Sequence, residues 1–122
     1  MKLRISAGKV SVVAELRETP TVQALAAALP FEASAQTWGE EVYFSTPVSA
    51  KLEADAKQLV EPGTVCFWTE GDALALPFGR TPISTDEKPR LAARCNVLGN
   101  IVGDAKALAG IKAGAKVRVE KA

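Results

Sequence analysis

The chain has 122 residues, with 15 Lys and Arg against 14 Asp and Glu, and it contains no histidine. Without histidine there is no Ser-His-Asp or Cys-His nucleophile, no HExxH metalloprotease and no imidazole metal site. A net charge of +1 sets up no field that would draw phosphate backbones or anionic lipid, so neither nucleic acid nor a membrane surface is an expected partner.

Met1 to Ser6 alternates polar and apolar residues and never enters the apolar run of a signal peptide. No window approaches the ~18 apolar residues of a membrane span, and a cytoplasmic protein is expected. Leu3, Ile5 and Ala7, then Val10, Val12, Ala14 and Leu16, keep a period of two on either side of Gly8-Lys9, which predicts a β-hairpin. Thr19-Pro20 supplies an N-cap and a first-position proline. Val22, Leu25, Ala26 and Leu29 then mark the apolar stripe of a helix that Pro30 stops.

Phe31 to Thr37 alternates again, Trp38-Gly39-Glu40 forms a turn or bulge, and Val42 to Thr46 is a strand ended by Pro47. The stretch from Ser49 to Val60 fits a short second helix and a solvated loop equally well. Glu61-Pro62-Gly63 has the chemistry of a type II turn and launches Thr64 to Thr69 as a strand; Gly71-Asp72 returns it into Ala73 to Leu76. Two prolines and a glycine make Pro77 to Pro82 an ordered loop. After a charged excursion, Asp86 to Pro89, Leu91 to Val102 reads as one or two strands around Gly99. Asp104 caps a short helical segment, Lys106 to Ile111, and Val117 and Val119 belong to a last strand.

No linker or repeat divides the chain, so residues 1–122 form a single expected domain. Eight or so short strands at hairpin spacing with one clear helix predict a mainly β fold. A closed antiparallel β-barrel is favoured, because parallel strands would each need a helical crossover.

The blocks Trp38-Gly39-Glu40-Glu41-Val42-Tyr43-Phe44, Pro62-Gly63-Thr64-Val65-Cys66-Phe67-Trp68 through Gly71-Asp72-Ala73-Leu74, Phe78-Gly79-Arg80-Thr81-Pro82-Ile83-Ser84, and Asn96-Val97-Leu98-Gly99-Asn100-Ile101-Val102-Gly103 follow one another in an order that resembles the short cyclophilin-like proteins of bacteria and archaea. The resemblance covers nearly the whole chain and implies a compact eight-stranded cyclophilin-type barrel. Prolyl isomerases of that type use a strand arginine to hydrogen-bond the prolyl carbonyl, in a cleft with a phenylalanine, a tryptophan and a histidine. This chain has no Phe-Phe pair, no matching glutamine context and no histidine; Arg80 and Arg94 are its candidates for the guanidinium.

Trp38, Tyr43 and Trp68 stand where aromatic rings can line a cleft or cap the core. Phe78 and Arg80 sit in the ordered loop, as floor and fixed fork of a cleft or as an ordinary surface loop paired with a glutamate. Arg94 and Asn96 share strand parity and make a polar patch for an extended peptide if the strand is straight. Adjacent Glu40 and Glu41 point to opposite faces and are read as solvated charges. Cys66 and Cys95 are far apart in sequence and are read as buried, reduced thiols. No phosphate loop, calcium loop or metal cluster is present in the pattern, and no cofactor is expected.

Three functions follow: a module binding a small molecule or a short peptide, without efficient isomerase activity; a prolyl isomerase using Arg80 or Arg94; and a homodimer or subunit paired through a strand edge. The first is preferred.

Overall fold

The computed structural model describes all residues, Met1–Ala122. Its strands are β1 (Lys2–Ala7), β2 (Val10–Leu16), β3 (Phe31–Ser34), β4 (Gln36–Thr37), β5 (Glu41–Ser45), β6 (Lys57–Leu59), β7 (Thr64–Trp68), β8 (Ala73–Pro77), β9 (Arg90–Val102) and β10 (Lys116–Lys121), with one α-helix, α1 (Pro20–Ala28), and a 3₁₀ turn at Ala105–Gly110. No helix is long and apolar enough to cross a membrane.

All pairings are antiparallel, in the order β3-β10-β1-β2-β9-β7-β8-β5-β4, with β6 added on β9. Mainly β, antiparallel and one-helix therefore hold. The expected closed barrel is not formed: β3 and β4, the two ends of the ladder, are not paired to each other, although they are consecutive pieces of one segment. The chain steps from one edge to the other at Ala35, which is fully buried and exchanges hydrogen bonds with the Gly114–Ala115 turn at 2.8 Å in each direction.

Period-two patterning decides which side chains are enclosed. Leu3 and Ile5, Val42 and Phe44, Val65 and Phe67, Leu74 and Leu76, Val117 and Val119 all turn inward into one apolar cluster, which Val22 and Leu25 of α1 cover. Each fully buried side chain of this size contributes roughly 1.5–3 kcal/mol of transfer free energy. The helix starts as the sequence dictates, with the Thr19 side chain accepting from the Val22 amide at 3.2 Å and Pro20 at the first position.

The segment Ser49 to Val60 is not a helix. Its only regular element is the short strand β6, because a buried side chain takes the backbone groups that a helix would use: Asn96 accepts from the Glu53 amide at 2.7 Å and donates to the Lys51 carbonyl at 2.9 Å. Leu91 to Val102 is one long strand, and its register shifts against both β6 and β7. Gly99 sits where β2 crosses closest; a side chain there would run into the Glu15 carbonyl.

Candidate functional site

The outward side of β5, β8, β7 and β9 carries a second apolar cluster, smaller than the core and separate from it: Val60, Cys66, Ala75, Leu91 and Cys95, with Tyr43, Trp68 and Val97 partly buried against it. Register explains its composition. Tyr43 stands opposite Ala75, Ala75 opposite Cys66, and Cys66 opposite Val97, so the middle of this face is floored by small side chains. Trp68 lies opposite Ala73 at one margin, and the irregular first half of β9 brings Leu91, Ala92, Ala93 and Cys95 to the other. The result is a cavity of about 230 Å³ between them, walled by Trp38, Tyr43 and Trp68.

Glu41 is the single charged residue of that lining. It alternates with the inward Val42 and shares the outward parity of Tyr43, yet it is only 6% exposed. Its Oε1 has no hydrogen-bond partner, and burial alone lifts its carboxyl from the ordinary 4.5 to about 7. The indole Nε1 of Trp68 is likewise buried and unpaired. Trp68 has little freedom to turn away, because its six-membered ring lies directly over Gly71, where any side chain would overlap it. Two residues lining one apolar cavity, Glu41 and Trp68, thus each carry a buried polar atom that lacks a partner inside the protein.

The two thiols belong to the same face. Both are free and buried, as expected. Burial pushes the Cys95 thiol up to about 12, helped by Glu41 and Glu70, and raises Cys66 as well, with Cys95 and Glu41 adding to it. Burial thus disfavours the thiolate of both, the form a nucleophilic cysteine needs.

Of the residues singled out in the sequence, Trp38, Tyr43 and Trp68 come together here. The others do not join them. The loop Pro77 to Pro82 is ordered, held by bonds from Phe78 N–H to the Glu40 carbonyl and from Glu40 N–H to the Arg80 carbonyl, both 2.8 Å. It faces a different surface depression, where Phe78 packs partly against the main core and Arg80 is half exposed, 3.6 Å from Glu87. Arg94 is exposed, its guanidinium 3.5 Å from the Ala56 carbonyl. Asn96 is no surface group at all: it is fully buried, and its Nδ2 also donates to Thr21 Oγ1 at 3.0 Å. The expected Arg94–Asn96 patch does not form, because Asn96 is enclosed while Arg94 is exposed, in a strand whose register shifts on either side of them.

Glu41 is not the solvated charge that the pattern suggests. Glu40 is indeed exposed, with Oε1 accepting from the Arg80 amide at 3.2 Å, but Glu41 is enclosed by a strand from the far end of the chain. The signal available in the sequence was parity: whatever faces outward with Tyr43 shares its environment.

The chain matches the cyclophilin-like family over residues 1–120. It belongs to that family. A hypothetical protein from Archaeoglobus fulgidus, whose solution structure is known, is 43% identical over 100% of this chain and 95% of its own, with a TM-score of 0.87. No curated protein matches the chain. Within this cyclophilin-like fold, no arginine lines the Glu41 cavity.

Proposed function

We propose that this cyclophilin-like protein is a binding module whose outer-face cavity takes a small molecule, or one side chain of a short peptide, without efficient prolyl isomerase activity. The observation that carries the reading is the pairing of an apolar cavity with two buried, unpartnered polar atoms, Glu41 Oε1 and Trp68 Nε1. A buried polar group without a partner costs about 1–3 kcal/mol, and native structures retain few of them. A ligand that supplies the missing partners recovers that free energy on binding.

Size narrows the occupant. At about 230 Å³ the cavity is smaller than the roughly 300–1,000 Å³ of sites for drug-sized molecules, so it suits a single ring or a branched aliphatic group. Tyr43 and Trp68 also border a second, more polar depression of about 530 Å³, across which a peptide chain would run with one side chain in the cavity. The isomerase reading has less support: Arg80 and Arg94, the two candidates for polarising a prolyl carbonyl, both lie outside the cavity.

Titrating the protein with benzyl alcohol while following tryptophan emission tests the binding reading, with Ala75→Leu as the variant that fills the floor. Saturable quenching in the wild type and none in the variant is the expected result. Absence of binding in the wild type, or equal binding by both, overturns it. In a coupled proline-peptide assay the isomerisation rate should stay at the uncatalysed level.

A further inference from the structure

We propose that the natural occupant of this cavity is a compact organic cation, a protonated amine carried on a ring or branched hydrocarbon, whose N–H group meets Glu41. This rests on the binding reading above and names the chemistry of the ligand. Three observations carry it. The one carboxyl that lines the cavity, Glu41, has its Oε1 buried without a partner, which calls for a donor, and a charged donor makes the strongest hydrogen bond to a carboxylate. No lysine or arginine lines the cavity, and burial is the one influence that moves the Glu41 carboxyl. Trp38, Tyr43 and Trp68 form the walls, and aromatic side chains around a small cavity are the protein surface best suited to an alkylated ammonium group.

The alternatives fit less well. An anion would meet Glu41, with Glu70 close enough to act on the neighbouring Cys95 thiol. A purely apolar ligand would bury Glu41 Oε1 more deeply and still leave it unpaired.

Ionisation of Glu41 then becomes part of binding. The titratable groups around it are Tyr43 on its own strand, Cys66 on β7, Cys95 on β9 and Glu70 after β7; β8 contributes only Ala75 and Pro77. None of these supplies a positive charge. In the empty cavity the carboxyl keeps its proton up to about pH 7, and an incoming cation favours its release.

The test compares benzylamine with benzyl alcohol, matched in shape but differing in charge, by isothermal titration calorimetry at pH 8 and pH 5.5. At pH 8 the amine should bind at least tenfold more tightly, an advantage that shrinks at pH 5.5. At pH 6.5, titrations in two buffers of different ionisation enthalpy should show proton release with the amine and none with the alcohol. Glu41→Gln should bind both probes equally. Binding of the alcohol as tightly as the amine at pH 8 overturns the proposal while leaving the binding reading intact. Absence of binding by either probe overturns both. If Glu41→Gln fails to fold, the wild-type pH dependence and proton release still decide the matter.

Discussion

Burying Glu41 should leave a measurable mark on stability, and replacing it with glutamine isolates that mark. Its carboxyl titrates at about 7 in the folded protein and near 4.5 when exposed, because burial penalises the charged form. At about 1.4 kcal/mol per pH unit, this difference corresponds to roughly 3 kcal/mol. The folded state holds the proton more tightly, so the stabilisation is fully present below pH 4.5. It falls as pH rises and is gone above pH 7. Glutamine keeps nearly the same shape and has no proton to lose. Urea denaturation of the wild type and of Glu41→Gln across pH 4.5 to 8 should therefore show the variant gaining on the wild type by roughly 3 kcal/mol over that range. The nearby thiols do not confuse the comparison, since both titrate above the window. Parallel stability curves would refute the reasoning, and a gap that closes with rising pH would mean that a positive group holds the carboxylate in the folded state.

Asn96→Ala should cost about 3 kcal/mol in a denaturant titration, because it removes three hydrogen bonds and leaves the Glu53 amide and the Lys51 carbonyl without their partner; a loss under 1 kcal/mol would show that water replaces the amide at little cost. Gly71→Ala should displace the Trp68 indole, lowering stability by about 1–3 kcal/mol, shifting tryptophan emission and weakening benzyl alcohol binding together. Unchanged emission would place the ring elsewhere.

Elements specified by neighbouring residues were legible from the sequence. The first hairpin, the Thr19-capped helix, the turn with Gly63 at φ 89° and the proline-bounded loop all appear where local chemistry demands them. The inward residues were legible too, since period two in each strand matches the buried cluster. The Ser49 to Val60 segment was undecidable locally, because what keeps it from a helix is the amide of Asn96, more than forty residues away by chain number. Arg94 and Asn96 part company for a related reason: parity arguments assume a straight strand on an open face, whereas β9 shifts register against two neighbours and Asn96 is enclosed.

Glu41 shows how a site can be present in the pattern and still be missed. Adjacent glutamates on a strand do point to opposite faces, so one of the pair had to share the side of Tyr43. That side is not solvent. In an antiparallel sheet wrapped around a core, the outer face is wet only where nothing crosses it, and here the first half of β9, with β6 paired beside it, crosses it. The same displacement that bends β9 away from regular pairing carries Leu91 and Cys95 over the β5–β8–β7 surface, and the alanine at position 75 leaves the space beneath them open. A bulkier residue there would close the cavity, and a straight β9 would leave Glu41 in water with an ordinary carboxyl. The carboxyl therefore owes its raised affinity for protons to the irregular strand that buries it, and the cavity beside it to one small side chain. Neither feature announces itself in a hydropathy pattern.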